Sequence, residues 1–229
     1  MIPQSELDHL ADLLKDFATK NHYTPEAAFS IIRTRYIQLE KSNFIPEICS
    51  KINNMEKSKL PNLFKIFANI IHHVLYRDIL TNAGKYRQIN DPKKGSIFFG
   101  GVKQRSLESK FHGISADQIE NEIIVAFKWL GNDGDPVENA LRFYQHFVYI
   151  HPYYDANGRI ARFIMIIHLL LHKLSISKIP FDQSKGKFLK KLNRCHERFG
   201  TDKSEKYFKY FFQFMKKYIT PINLNANEC

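Results

Sequence analysis

Cysteine is scarce in this chain of 229 residues: Cys49, Cys195 and Cys229 lie far apart and are odd in number. That spacing excludes a disulfide framework or a cysteine zinc site and fits a reducing compartment. Long apolar runs are missing as well. No stretch approaches the roughly 20 apolar residues of a membrane span; the longest candidate, residues 163–174, is interrupted by His168 and His172 and reads as a buried helix. The opening MIPQSELDHL places Glu6 and Asp8 where a signal peptide would have a positive start and an apolar run. A soluble, intracellular protein with no membrane partner is therefore expected. Internal repeats and low-complexity segments are absent too. Acidic residues are in deficit, 23 against 34 lysines and arginines, for a net charge of +11. Such a chain attracts anions, but charge alone does not choose among nucleic acid, nucleotide, acidic protein and anionic lipid. The lysine runs at 185–191 and 203–217 have spacings that fit ordinary solvated helix faces.

What is present is the helical period, on a hydrophobic content of 44% that is ample for a buried core. Leu7, Leu10, Leu13, Leu14 and Phe17 recur every three or four residues and predict a helix from Glu6 to about Lys20. Thr24 and Pro25 open a second in cap and first-turn order, running to about Glu40. Pro46 marks a loop or short helix, and Pro61 starts a long helix. Residues 84–106 break the rhythm: glycine-rich, with Asp91-Pro92 as a turn signal and Ile97, Phe98 and Phe99 before a Gly-Gly pair, they read as a hairpin or flap. Helices resume with Ser115 as N-cap. The segment from Pro136 to Ile150 is apolar on nearly every side, as is the one from Arg159 to about Leu174. Helices near Ser184–Phe199 and Ser204–Ile219 follow, then a polar tail.

Between the two buried helices stands HPYYDANGRIAR, residues 151–162. Pro152 biases the residue before it away from the α region, so the incoming helix should end at His151. There the helix dipole favours the protonated ring and lifts its basicity, which suits a proton acceptor. Asp155 is a single loop carboxylate of the kind that holds magnesium alongside water and phosphate oxygens. Ala156, Asn157 and Gly158 suit a backbone whose N–H groups converge on an anion, and Asn157 can cap the helix or donate its amide to an oxygen. Arg159 and Arg162 oppose the dipole at the helix start. Three residues apart, they share a face and can clamp a polyphosphate. Elsewhere, His168 and His172 read as packed core histidines, the adjacent His72 and His73 as incidental, and Asp133-Gly134-Asp135 as a turn.

These twelve residues resemble the signature of the Fic (Fido) family, whose members mostly transfer AMP from ATP to a hydroxyl of a protein. Ala156 stands where most members have glycine. The Doc branch, which phosphorylates its target, also tolerates alanine there, but it carries lysine where this chain has Gly158, so the resemblance implies AMP transfer. Gly84-Lys85-Tyr86-Arg87 resembles the run preceding the family's target-docking flap. The implied fold is all-α: a Fic-type helical bundle with a short β-hairpin flap, as core 61–220, plus an N-terminal helical extension, 1–60, and a tail, 221–229.

The resemblance implies His151 as base, Asp155 as the Mg2+ ligand, and Ala156, Asn157 and Gly158 as the anion loop. Arg159 and Arg162 would hold the β- and γ-phosphates of the ATP co-substrate. Ile97, Phe98 and Phe99 would belong to a flap, 93–100, that pairs with an extended target segment. Many members carry a self-inhibitory Ser/Thr-x-x-x-Glu helix followed by Gly or Asn; only Thr201-x-x-x-Glu205 approaches it, and Lys206 follows. An unrestrained enzyme, or one restrained by a separate antitoxin-like protein, is expected, acting in the cytoplasm or as an effector secreted into a host cell. The alternatives are another nucleotidyl, phosphocholine or phosphoryl transfer on the same scaffold, or a basic nucleic-acid-binding module, which the motif does not favour.

Overall fold

The computed structural model describes residues 2–53, 55–96 and 114–222. Ile97, Phe98, Phe99 and Gly100 of the expected flap, Cys229 and most of the polar tail lie outside the described residues. The fold is all-α. Its helices are α1 Gln4–Phe17, α2 Pro25–Lys41, α3 Phe44–Ile52, α4 Leu60–Tyr76, α5 Ile119–Lys128, α6 Pro136–Ile150, α7 Asn157–Leu171, α8 Lys185–Glu197 and α9 Ser204–Lys216. Local chemistry explains several starts. Thr24 accepts the Ala27 N–H before Pro25, and Asp135 accepts the Val137 N–H at 2.9 Å before Pro136, so two caps and two first-turn prolines open α2 and α6. Ser115, expected to cap α5, instead donates its hydroxyl to Asp117 ahead of a short 3-10 turn.

Three helices stop earlier than their apolar pattern suggests, because competing backbone bonds capture their ends. After α1, Ala18 forms a β-bridge with Leu80, the Thr19 N–H donates to Ile79 and the Thr81 N–H to Phe17. After α7, Lys173 turns to positive φ and the chain enters β1, Leu174–Ile176, which pairs antiparallel with β2, Ile219–Pro221, just beyond α9. The period of 3.6 is a local signal and says nothing of these long-range partners.

Helices α6 and α7 form the centre of the bundle, with Phe143, Phe147, Ile160, Ile164 and Ile167 fully buried. Helices α5, α8 and α9 pack on α6, and α4 packs on α7. The apolar cluster continues without a break through Leu10, Leu13, Phe17, Ala28, Ile32, Ile48 and Ile52 of the first three helices. Helix α1 also reaches the connection between α6 and α7, where Phe17 meets Tyr154 at a ring separation of 5.1 Å. That connection carries the signature, and three buried residues, Pro152, Tyr153 and Tyr154, hold it against the core.

Candidate active site

The connection is built as a clasp. The Tyr153 N–H donates to Asn157 Oδ1 at 3.0 Å, and Asn157 Nδ2 donates back to the Tyr153 carbonyl at 2.8 Å. This corrects the expectation for Asn157. Its side chain is buried and hydrogen-bonds the loop backbone, so it makes no cap bond to α7; the N-cap position is Ala156. Ala156 has φ 62°, the left-handed region, which explains physically why a residue without a β-carbon suits that position. The N–H groups of Asn157 and Gly158 then open α7 with no acceptor among the described residues. A β-carbon on Gly158 would meet only the Tyr144 hydroxyl, at 3.7 Å, so the fold itself does not need glycine there.

Asp155 and Arg159 neutralise each other. Arg159 Nη2 lies 3.0 Å from Asp155 Oδ2, which also accepts the Tyr76 hydroxyl at 2.5 Å; the same hydroxyl accepts from Arg159 at 3.0 Å. Asp155 Oδ1 accepts the Ala156 N–H at 2.6 Å. Burial would raise the pKa of this carboxyl, but the Arg159 charge, His9 and the two hydrogen bonds outweigh it and hold it well below the usual range. Arg162 is placed differently. Its guanidinium lies over the Phe181 ring at 4.2 Å, and its Nε is buried with no acceptor among the described residues.

His151 ends α6 as expected, but the expected rise in basicity is overturned. Burial pushes its pKa down to about 3, helped by the Arg87 and His196 charges; the Val148 carbonyl and Asp155 pull only partly the other way. Desolvation of the imidazolium exceeds the dipole's contribution of about 0.3–2 kcal/mol. The ring is therefore neutral at pH 7. Its Nδ1 lies 3.3 Å from the Val148 carbonyl, which places the proton on Nδ1 and the basic lone pair on Nε2.

His151, Asp155, Ala156, Asn157, Gly158, Arg159 and Arg162 all line one open cleft of about 250 Å³. Its other wall is Tyr144 with Phe181, Lys185, Phe188 and Leu189 from α8 and the turn before it. A domain model described as Fic/DOC family matches residues 64–169. The chain carries a Fic/DOC domain. No curated protein sequence matches it. Among solved structures, a Fic family protein from Desulfovibrio desulfuricans G20 aligns over 93% of this chain at 19% identity and a TM-score of 0.50; the chain spans 63% of that protein's length. BepC, a VirB-translocated effector of Bartonella tribocorum solved with AMPPNP, aligns over 78% of this chain and 89% of its own at 18% identity and a TM-score of 0.49. An N-terminal Fic domain from Bartonella quintana solved with ADP gives 78%, 87%, 15% and 0.48. At these identities the likeness is one of fold.

The sequence did not point to several residues of this Fic/DOC cleft. Lys185 belongs to a run read as a solvated face, yet it stands at the cleft wall. His72 is not incidental: buried, it accepts the Gly84 N–H at 2.8 Å and stacks on Tyr153 with ring centroids 4.1 Å apart. Tyr76 gave no signal beyond helix periodicity. Glu205, the near match to an inhibitory glutamate, pairs with Arg142 at 2.8 Å on α9. His168 is a buried core residue of α7, and no group of three metal-ligating side chains occurs among the described residues. Among the same residues no helix is long and apolar enough to cross a membrane.

Proposed function

We propose that this protein transfers AMP from ATP to a serine, threonine or tyrosine hydroxyl of another protein. The Fic/DOC family transfers nucleotide-derived groups to proteins. The observation that carries the reading for this chain is that a neutral imidazole, a helix N-terminus and two arginines open onto one cleft. The open N–H groups of Asn157 and Gly158 suit phosphate oxygens. Arg162 and Lys185 offer charge with no carboxylate partner among the described residues, while Arg159 must share itself with Asp155. His151 Nε2 takes the proton of the target hydroxyl as its oxygen bonds to the α-phosphorus, and pyrophosphate leaves. A polyphosphate bound beside the ring raises the imidazole's proton affinity at the step that needs it.

Magnesium fits the donor set. Asp155 Oδ2 already has two partners, but Oδ1 has one and keeps an acceptor position, and a lone carboxylate with phosphate oxygens is the way this ion is usually held. Bound there, the ion would neutralise charge developing on the departing pyrophosphate. Asp155 would hold it, with Tyr76 and the Ala156 N–H fixing the carboxylate.

Incubation with α-labelled ATP and magnesium in a lysate, followed by mass spectrometry, should find peptides heavier by one AMP. His151→Ala should abolish the label while Mg-ATP binding persists. An added mass of phosphate or phosphocholine would replace this donor assignment; tight, salt-sensitive DNA binding indifferent to Arg162 would favour a nucleic-acid module instead.

A further inference from the structure

We infer that Arg87 is the positioning residue for the base: its guanidinium grips the carbonyls of Ile150, the last residue of α6, and of His151 just after it, and so sets the orientation of the His151 ring. This rests on the reading of His151 as the base. Arg87 Nη2 donates to the Ile150 carbonyl at 3.1 Å, its Nε to the His151 carbonyl at 2.8 Å, and its own backbone N–H to the Pro152 carbonyl at 2.9 Å. The remaining guanidinium donors reach the Gly95 and Ile114 carbonyls. Arg87 is 2% exposed, yet it has no carboxylate partner among the described residues. A buried charge balanced only by carbonyl dipoles is costly to keep for packing alone, since an apolar side chain would fill the same space. What the charge secures is the negative end of α6, whose last carbonyls have no helical partners.

The consequence runs to the ring. His151 has φ 52° and ψ 60°, a left-handed conformation that a residue with a β-carbon keeps only when its surroundings over-determine it. Holding the carbonyls on either side of Cα, those of Ile150 and His151, fixes that conformation. In it, Nδ1 faces the Val148 carbonyl at 3.3 Å, which selects the tautomer with its lone pair on Nε2. Arg87 itself is not part of the cleft wall. It acts on the reaction through His151.

Arg87→Met and Arg87→Lys test this against a merely structural role. In Arg87→Met, kcat for AMP transfer should fall about 100-fold or more while the Mg-ATP dissociation constant, read by calorimetry, stays within about twofold, because the phosphate-binding arginines are untouched. Arg87→Lys, which keeps a cationic donor, should recover at least about tenfold of the loss. Nitrogen-15 spectra of the histidine side chains should show His151 protonated on Nδ1 in the unaltered protein and as a mixture of tautomers in Arg87→Met. Full kcat in Arg87→Met, or an unchanged His151 tautomer in that variant, would overturn the inference. If Arg87→Met does not fold, Arg87→Gln, a shorter uncharged donor, is read by the same two criteria. If the unaltered protein transfers nothing, the AMP-transfer reading fails by itself, and the tautomer comparison still decides what Arg87 does.

Discussion

Replacing Arg162 with methionine should weaken nucleotide binding while costing the empty protein little stability. Two effects on the empty protein oppose each other. Losing the stack over Phe181, at 4.2 Å, removes about 0.5–2 kcal/mol. Removing a buried Nε that has no acceptor among the described residues restores about 1–3 kcal/mol. The difference runs from about 1 kcal/mol lost to about 2.5 kcal/mol gained, so Tm should fall by no more than roughly 2–4 °C for a chain of this size. In the complex the same residue makes a charge-assisted bond to phosphate worth about 1.5–3 kcal/mol, so Mg-ATP should bind about 10- to 150-fold more weakly. Arg159→Met should behave differently, since it strips Asp155 and Tyr76 of a partner and should cost the empty protein about 1–3 kcal/mol as well. Thermal unfolding with and without Mg-ATP, paired with calorimetry, reads both quantities. A fall of more than about 6 °C in empty Arg162→Met with unchanged affinity would show that Arg162 is a structural cation, and the phosphate reading of the cleft would lose its main support.

Two further outcomes follow from burial and backbone. Burial depresses His72, His151 and His168 to about 3 and His196 to about 4, below the ordinary 6.5. The unfolded chain therefore binds more protons, so stability is complete above about pH 6.5 and declines toward pH 3–4; the three rings held at about 3 should cost about 2 kcal/mol each by pH 5. Urea unfolding at pH 7.5, 6 and 5 measures this, and a flat profile would contradict it. Ala156→Gly relieves a left-handed alanine at φ 62° at about 1–2 kcal/mol but loosens the unfolded chain by about 0.5–1 kcal/mol, so stability should rise by up to about 1.5 kcal/mol. A loss of more than 1 kcal/mol in denaturant melts would show that the turn does not hold this shape.

The sequence made the frame of the site legible because its signals there are local. Pro152 stops α6 at His151, small residues form the turn, and apolar residues all round mark α6 and α7 as central. The rest depends on residues distant in the chain. Arg87 reads as part of a glycine-rich loop until the fold brings it beneath His151, 64 residues away. Tyr76 reaches Asp155 across 79 residues. The basicity of His151 was misjudged for the same reason: the dipole can be read from the helix end, but the desolvation that exceeds it comes from neighbours packed in from elsewhere. Asn157 shows the converse, a polar side chain whose type suited a ligand but whose partners turn out to be the loop's own backbone.

Phe181, Lys185 and Phe188 stand on one wall of the cleft, and Phe17 leans on Tyr154 from the far end of the chain. A fragment trimmed to the family-matched span, 64–169, would thus keep every residue of the signature and still present only half a cleft, with an aromatic flank stripped bare. Its silence in an assay would report on the missing scaffolding. Boundaries for expression are better drawn from α1 to β2.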